Sequence, residues 1–435
     1  MRIAMVCAER DGSADDLARH LAVGGHEVTV FRRDDGAGVA EPQAWPESGS
    51  ESRPESGTEA GARDLVAETD LDGAADLDDE VDADPVLTAG GGRLTEVLIP
   101  AGPRRPLAPE ESLDSMAPFG HGLADIWGSL TPNVVHAHSW TSGIAAQVGA
   151  RPLGLPIAQS FSELGLVRRR HLGEADTSPP TRIRLERSLA IAAARVLARS
   201  SDEVFELFRM GVPHRQSTVL PCGVDPQAFS RDCSADPPQE RIGPGLRILT
   251  LGPLTVEQGH ETLIRAVAAV PGSHLIIAAA ECAGGRGAEG DADRLRELAR
   301  EAHAADRIHL QPWPGDLPAL LRSADLVVIP SWYDPSGVRA LQAMACGTPV
   351  LASAVGAHID IIVDGITGAL VPPRQVDAMA AALRRLADDP FTLQSMGIAG
   401  SDRAQHRFAW SRVAQETLRV YRAIDRRMLS LAVSR

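Results

Sequence analysis

The sequence of 435 residues contains no lysine, so arginine supplies all 43 of its Lys-plus-Arg side chains, and tyrosine occurs only twice. Alanine, glycine, proline and aspartate are abundant, a composition typical of proteins from GC-rich bacterial genomes. Genomic drift of this kind replaces lysine by arginine, which keeps the positive charge. A basic functional position that holds a neutral residue in this chain therefore needs another explanation.

Long apolar runs are also missing, since none approaches the roughly 18–20 residues of a transmembrane span. The first residues, 1–6, read as a strand and lack the apolar stretch and small-residue cleavage site of a signal peptide. The five cysteines are scattered without a CxxC motif, which argues against a disulfide framework or a structural zinc site. These features predict a cytoplasmic protein without a transmembrane segment.

The negative charge is concentrated in one part of the chain. The formal net charge is −15, but residues 36–92 hold fifteen Asp and Glu against two Arg, a net of −13, so the remainder carries only −2. Nucleic-acid binding requires a basic face, which neither part of the chain indicates. Composition therefore argues against a nucleic-acid partner.

Residues 36–92 differ from the rest of the chain, because Gly, Pro, Ser, Glu and Asp dominate and aromatic side chains are almost absent. Such a segment cannot bury enough apolar surface to offset the entropy lost on ordering, so we predict that it is disordered. Its position inside a fold-like sequence is typical of an insertion in a surface loop. Two roles remain open for it, a solubilising loop or an interaction segment.

Apolar strand-like runs alternate elsewhere with helical patterns of about 10–15 residues, as in parallel sheets covered by helices on both faces. One such series occupies residues 1–235 and a second residues 245–405. We therefore predict an α/β protein with two Rossmann-like, doubly wound domains that face a cleft, where ligands bind at the carboxyl ends of the strands. A last helix, within residues 408–435, is long enough to pack back toward the N-terminal domain.

The segment 331–350 has the sequence SWYDPSGVRALQAMACGTPV. It resembles the signature of the family-4 retaining glycosyltransferases, roughly P-S-x-x-E-P-F-G-x-x-x-L-E-A-M-A-C-G-x-P-V, and residues 363–373 resemble the family as well. The resemblance implies the GT-B fold, with the acceptor on the N-terminal domain and a nucleotide sugar on the C-terminal domain. It covers nearly the whole chain outside residues 36–92.

The N-terminal half is similar to a subset of this family that includes sucrose-phosphate-synthase-like enzymes and the mycothiol-pathway glycosyltransferase. The similarity rests on short motifs at 100–103, 136–143, 161–165, 176–179, 182–186 and 221–225. It implies a nucleotide-sugar donor, a small-molecule acceptor and transfer with retention. It also implies that no metal or other cofactor takes part.

The family stabilises the departing nucleotide diphosphate with an arginine and a lysine in a G-R-x-x-x-x-K-G loop. The corresponding loop here is 252–259, where Pro253 occupies the arginine position and Gln258 the lysine position. Proline offers no side-chain donor, and glutamine offers only a neutral one. Composition bias does not explain these residues, because it favours arginine at both positions.

Other donor-side positions also depart from the family pattern. The family's two glutamates correspond to Asp334, which is one methylene shorter, and to Gln342, whose hydrogen bonds lack charge assistance. The family's histidine near the reaction centre corresponds to Ser162. The resemblance thus implies Asp334 and the degenerate Ser162 as catalytic positions. It implies as donor-binding positions Pro253, Gln258, Gly337, Val338, Arg339 and Gln342.

The acceptor side is expected to follow the first strand, where one glycine of a Gly-Gly loop remains. The resemblance implies as acceptor-side residues Gly12, Ser139, Arg168 and Arg182. The basic cluster at 168–170 is either a solvated turn or a contact for an anionic acceptor. His136 and His138 are either packed at a strand end or metal ligands, and strand packing is favoured.

The sequence supports two hypotheses about activity. The first is an active transferase that moves a hexose to a small acceptor. The second is a catalytically inactive relative kept as a binding or regulatory partner of another protein. Arg339, in the first turn of the signature helix, either supplies a cation to a phosphate or lies on the surface or between domains, and the second interpretation is favoured. Losing one charged group costs about 3–4 kcal/mol of transition-state stabilisation, although such losses are not additive. The correlated substitutions therefore predict impaired or lost catalysis.

Overall fold

The computed structural model describes residues 1–36, 86–87, 91–108, 111–232, 245–279, 288–313 and 315–433. Most of the insertion predicted to be disordered, residues 36–92, lies outside these ranges. Its described part corrects the prediction at one point, because Val86–Leu87 forms a short strand. This strand pairs antiparallel with the strand that begins at Arg93, so the sheet takes up residues from inside the predicted insertion.

The N-terminal domain is built on an eight-stranded sheet in the order β3-β4-β2-β1-β5-β6-β7-β8. Its strands are β1 (Arg2–Val6), β2 (Glu27–Arg33), β3 (Val86–Leu87), β4 (Arg93–Ile99), β5 (Val134–His138), β6 (Ile157–Ser160), β7 (Arg195–Ala198) and β8 (Ser217–Val219). Its helices are α1 (Gly12–Val23), α2 (Met116–Leu130), α3 (Trp140–Ala150), α4 (Gly165–Leu172), α5 (Arg182–Ala192) and α6 (Ser201–Arg209). All strand pairs except β3–β4 are parallel.

The central strand β1 shows why the sequence folds in this way. Four of its five residues are buried in succession, which suits a parallel strand covered on both faces rather than one with a solvent face. Ile3 lies opposite Val28 on one side and Val134 on the other. On one face of the sheet, Trp127 of α2 packs edge-on against Phe31 of β2, with 5.8 Å between ring centroids.

The C-terminal domain is built on a six-stranded parallel sheet in the order β11-β10-β9-β12-β13-β14. Its strands are β9 (Arg247–Leu251), β10 (His274–Ala279), β11 (Ile308–Pro312), β12 (Leu326–Ile329), β13 (Val350–Ser353) and β14 (Ala369–Val371). Its helices are α7 (His260–Ala268), α8 (Ala288–Glu301), α9 (Leu317–Ser323), α10 (Val338–Ala345), α11 (His358–Ile361), α12 (Val376–Ala387) and α13 (Pro390–Arg407). The sequence prediction of two parallel-sheet α/β domains is confirmed.

The last helix, α14 (Trp410–Val433), belongs to the N-terminal core although it follows the C-terminal domain. Trp410, Val413 and Tyr421 recur at helical spacing and are buried against β1 and α1. The chain returns beside the inter-domain segment, where the Val224 amide donates to the Phe408 carbonyl at 2.8 Å. The chain thus crosses back from the C-terminal domain to the N-terminal domain before α14 begins. Among the described residues, no helix is both long and apolar enough to cross a bilayer.

Candidate functional site

Each sheet has a point where successive connections leave in opposite directions. In the N-terminal sheet this point lies between β1 and β5, and in the C-terminal sheet between β9 and β12. Loops at the carboxyl ends of such strand pairs form the ligand crevice of doubly wound sheets. The C-terminal loops are 252–259 after β9 and 330–337 after β12, so the two motifs singled out in the sequence lie side by side. The Trp332 amide joins them by donating to the Glu257 carbonyl at 2.9 Å.

Glycines allow these two loops to pack closely. Gly259 has a positive φ of 75°, and a Cβ there would lie 2.1 Å from the carbonyl oxygen of Pro330. Pro253, at the family's arginine position, contributes its backbone, since its carbonyl oxygen lies 2.9 Å from His260 Nε2. Gln258, at the lysine position, ends the short helical turn Val256–Gln258. Its side chain contacts Arg339 in the first turn of α10.

Arg339 brings a positive charge to the 252–259 loop from another part of the chain. Its Nη1 donates to Gln258 Oε1 at 3.1 Å, a contact between residues 81 positions apart. The same nitrogen would lie 2.9 Å from a Cβ at Gly252, whose φ of +137° is a conformation that favours glycine. The structure thus places an arginine against Gln258 and Gly252 of this loop.

The other donor-side positions surround the start of α10. Gly337, with φ +63°, is the residue before the helix, and Val338 is its half-buried first residue. Gln342 is half-buried and lies three residues after Arg339, which places the two side chains on one face of the helix. Gln342, Arg339 and Gln258 therefore lie on the same side of the loop pair.

Asp334 is buried and holds its own loop together. Its Oδ1 accepts hydrogen bonds from the Gly337 amide at 2.8 Å and from the amide and hydroxyl of Ser336 at 3.0 Å each. Its Oδ2 lies 3.3 Å from His358 Nε2. Burial alone raises the pKa of Asp334, but His358 and the two amides outweigh it and hold the pKa well below the ordinary value of 3.8. The carboxylate that the resemblance assigns to the donor sugar is thus engaged within the loop.

His358 is a site residue that the sequence analysis missed. It is fully buried at the start of α11, and its Nδ1 lies 2.9 Å from the Ser353 carbonyl oxygen. Because a carbonyl can only accept, Nδ1 donates to it, and Nε2 pairs with the Asp334 carboxylate when this nitrogen is protonated as well. No spacing pattern in the sequence indicates this pair, since the two residues belong to different loops.

Ser162, at the family's histidine position, is exposed after β6, whereas Phe161 before it is buried. Across the cleft, the Tyr333 ring of the signature loop stacks on His171 of α4, with 5.6 Å between centroids. Burial raises the pKa of Tyr333, and the nearby carboxylates of Glu203 and Asp202 raise it further. The ring therefore stays neutral and serves as an apolar contact between the domains.

A second inter-domain contact joins α6 to α11. Both oxygens of the Asp360 carboxylate accept hydrogen bonds from Ser201, from the amide at 2.6 Å and from the hydroxyl at 2.7 Å. The carboxylate lies at the first turn of α6, where the helix dipole favours a negative charge. Together with the Tyr333 ring, it links the two domains.

The N-terminal side of the cleft contains a carboxylate that the sequence analysis gave no role. Glu9 follows β1, and its Oε1 accepts a hydrogen bond from the Thr141 hydroxyl at 2.7 Å. Its Oε2 lies 3.2 Å from the hydroxyl of Ser139, which caps α3. Burial raises the pKa of Glu9, and the hydroxyls of Thr141 and Ser139 partly offset that shift. The sequence feature that could have indicated Glu9 is its position in the loop after β1, where the resemblance implies a Gly-Gly pair.

The remaining acceptor-side positions are separated by the structure. Gly12 is exposed at the first residue of α1. Arg168 pairs with Glu163 at 3.3 Å and with Asp176 at 3.1 Å. Of the four acceptor-side residues that the resemblance implies, only Ser139 is recorded in contact with Glu9 in the described part of the chain. A contact between Arg168 and an acceptor stays a prediction. The positive charge of Arg168 is already balanced by Glu163 and Asp176.

Arg182 is buried and serves the packing of α4 against α5. Its Nε donates to Glu186 Oε1 at 2.8 Å, its Nη1 to the Ser178 hydroxyl at 3.0 Å and its Nη2 to the Glu163 carbonyl at 2.7 Å. Its guanidinium also lies 5.5 Å from the centre of the Trp140 ring. With these contacts its donors are directed inward, away from the cleft.

His136 and His138 are buried near the end of β5, as the favoured interpretation predicted. His136 Nδ1 lies 2.6 Å from the Tyr421 hydroxyl of α14, and Nε2 lies 2.9 Å from the Ser160 hydroxyl. Burial lowers the pKa of His138 to about 3, so this ring is neutral in the folded protein. Within the described part of the chain, no group of three or more His, Cys, Asp or Glu residues is arranged to hold a metal ion.

Two family models match the chain, the glycosyl transferase 4-like domain over residues 13–223 and the glycosyl transferases group 1 over residues 235–403. The D-inositol 3-phosphate glycosyltransferase of Nocardiopsis dassonvillei is 33% identical to it over 354 residues, which cover 78% of this chain and 82% of that protein.

Among solved structures, sucrose-phosphate synthase from Thermosynechococcus elongatus is similar with a TM-score of 0.75 and 23% identity, covering 97% of this chain and 98% of that one. The HepE protein of Anabaena, solved in complex with UDP, is similar with a TM-score of 0.68 and 16% identity, covering 97% of this chain and all of that one. At such identities these two structures show the fold alone, which is GT-B.

Proposed function

The chain belongs to the family-4-like glycosyltransferases, and on that premise we propose that it transfers a hexose from a nucleotide sugar to a small acceptor with retention. We propose further that it does so with reduced efficiency and without a metal or other cofactor. The donor lies against the loops 252–259 and 330–337, and the acceptor against the loops after β1 and β5. A cytoplasmic location, expected from the sequence, remains part of the proposal.

The observation that carries this proposal is the position of Arg339. Its guanidinium bonds Gln258 at 3.1 Å and lies over Gly252, beside the loop that needs a positive charge for the departing diphosphate. Because arginine presents a planar fork of N–H donors, it suits phosphate oxygens. The N-terminal end of α10 lies on the same side, and its helix dipole favours an anion. These features support a diphosphate site rebuilt from different residues.

The reduced efficiency follows from three other positions. Pro253 has no side-chain donor, and Ser162 cannot replace an imidazole near the reaction centre. Asp334 accepts bonds from its own loop and faces His358, which leaves it little capacity for a sugar hydroxyl. Each charged group removed from a preorganised site costs about 3–4 kcal/mol, with non-additive totals. The donor is therefore bound more readily than it is turned over.

Calorimetric titration with UDP, GDP and ADP tests the donor site. We expect micromolar binding of one nucleotide, and Arg339→Gln to weaken it about ten- to hundredfold, because a charge-assisted hydrogen bond contributes about 1.5–3 kcal/mol. Arg384→Gln, at an exposed position of α12, is the matched control that removes the same charge elsewhere. Absence of binding at millimolar nucleotide, or equal affinities for the two variants, would refute the proposed site.

The engaged state of Asp334 favours a second candidate function, an inactive relative that binds or regulates another protein. The two functions differ in turnover. Incubation with UDP-, GDP- and ADP-hexoses and a panel of acceptors, followed by mass spectrometry, should give a transfer product if the enzyme is active. The double variant Pro253→Arg with Gln258→Lys should then increase kcat/KM. Nucleotide binding without product in either protein would instead support the inactive relative.

A further inference from the structure

We propose that Glu9 determines acceptor specificity, excluding phosphorylated acceptors and selecting uncharged polyols whose hydroxyls donate to its carboxylate. The inference rests on the proposed function, because it names the acceptor class of that same cleft. It differs from the activity named for the relative that is 33% identical, which acts on D-inositol 3-phosphate. Glu9 is thus a specificity-determining residue of this chain rather than a structural one.

The first observation is that the Glu9 carboxylate lies at the N-terminal end of a helix, where a negative charge is favoured. Its carboxylate contacts Thr141 at 2.7 Å and Ser139 at 3.2 Å, at the N-terminal end of the eleven-residue helix α3. The N-terminal end of a helix carries a partial positive charge and attracts anions, phosphates included. Here the chain supplies that anion itself. An incoming phosphate would have to displace Glu9 or lie beside a second negative charge.

The loop holds Glu9 in this place. The amide of Ala8, the residue before it, donates to the Ser142 hydroxyl at 2.8 Å. The Ser142 amide in turn donates to the Ser139 hydroxyl at 3.0 Å. Both ends of this network lie just beyond the carboxyl ends of the neighbouring strands β1 and β5. The carboxylate is therefore fixed on two neighbouring loops, and a ligand cannot easily move it aside.

The second observation concerns arginines of the N-terminal domain that could balance an added negative charge. Arg168 is balanced by Glu163 and Asp176, and Arg182 by Glu186. Arg33, which attracts Glu9 from a distance, donates to the carbonyls of Pro103 and Arg105. Arg168 and Arg182 are thus paired with carboxylates, and the guanidinium of Arg33 is held by backbone carbonyls, so each of the three is already engaged with the protein.

The third observation is the capacity that remains on Glu9. A carboxylate offers about four lone-pair positions, and the contacts to Thr141 and Ser139 use two of them. Glu9 is only partly buried, so the other positions can accept from a ligand in the cleft. Its present partners are hydroxyl groups. A polyol offers the same donors without a negative charge, which is the chemistry that this arrangement recognises.

Calorimetric titration of the full chain with myo-inositol and with D-inositol 3-phosphate, in the presence of saturating UDP, tests the proposal. We expect the phosphorylated ligand to bind at least ten times more weakly than the neutral one. Glu9→Gln keeps the shape and removes the charge, so it should strengthen binding of the phosphorylated ligand roughly 10- to 100-fold. Glu9→Asp keeps the charge and should continue to exclude it. Glu174→Gln, at an exposed position, is the matched control and should behave like the parent protein.

Tight binding of D-inositol 3-phosphate by the unmodified protein would overturn the proposal, as would a Glu9→Gln variant that behaves like Glu174→Gln. Circular dichroism of each variant confirms that it is folded, and Glu9→Ala replaces any variant that is not. UDP binding is measured separately on the same samples. Loss of UDP binding alone counts against the donor site, whereas the ratio of the two inositol ligands without UDP still reports on Glu9.

Discussion

Asp334 offers a sharp test of the structure. The resemblance implies that this residue contacts the donor sugar, whereas its hydrogen bonds stabilise its own loop. Asp334→Ala removes the acceptor for the Ser336 and Gly337 amides and the partner of His358. Losing a hydrogen bond to a charged group costs about 1.5–3 kcal/mol, and leaving buried donors unsatisfied costs about 1–3 kcal/mol. We therefore expect a loss of about 3 kcal/mol in the free energy of unfolding. Asp334→Asn, which keeps one oxygen acceptor, should lose only about 1 kcal/mol.

The pH dependence follows from the direction of the pKa shift. Because the folded protein holds the pKa of Asp334 below its ordinary value of 3.8, the carboxylate contributes stability above about pH 4. That contribution is lost as the pH falls further, when protonation favours the unfolded chain. The difference in stability between the parent protein and Asp334→Ala should therefore be full at pH 6 and smaller at pH 3.

Urea denaturation followed by circular dichroism measures both effects at each pH. Asp389→Ala is a matched control, since Asp389 caps the exposed start of α13 by accepting from the Thr392 amide at 3.0 Å. It should lower stability less than Asp334→Ala. The reasoning fails if Asp334→Ala is as stable as the parent protein at pH 6, or if the difference between them stays constant down to pH 3.

Three further changes test the rest of the structure. Tyr421→Phe leaves His136 Nδ1 without its hydroxyl at 2.6 Å and should cost about 1–3 kcal/mol in urea denaturation. Asp360→Ala removes both contacts to Ser201 and should increase the radius of gyration measured by X-ray scattering. Burial raises the pKa of Glu203 from 4.5 to about 7, so the parent protein loses stability as the pH rises through this interval. Glu203→Gln should therefore gain roughly 2–3 kcal/mol over the parent between pH 5 and pH 8, which the same denaturation series would measure.

The sequence predicted the fold because its signals are local. Consecutive buried residues such as Ile3 to Val6 indicate a parallel strand by themselves, and the alternation of strands with helices indicates a doubly wound sheet. The signature at 331–350 identified the family, which the matches to residues 13–223 and 235–403 confirm. The short strand Val86–Leu87 was missed, since it lies in an acidic segment whose composition predicts disorder.

The candidate site was predictable only in part. The resemblance to the family located Pro253, Gln258 and Asp334 and left the role of Arg339 open between two interpretations. The structure brings Arg339 to Gln258, across 81 residues, and Asp334 to His358. Neither contact leaves a periodic signal, because each joins loops that follow different strands.

The sequence by itself determined the two-domain α/β architecture, the family and the list of substituted positions, since each depends on residue order and local pattern. Tertiary structure alone decided which of those residues act together. Parallel sheets place the carboxyl ends of distant strands at one edge, so Glu9 reaches Thr141 across 132 residues and Arg339 reaches Gln258 in the 252–259 loop. Charge and hydrogen bonding act over a few ångströms in space, and sequence distance does not report that separation.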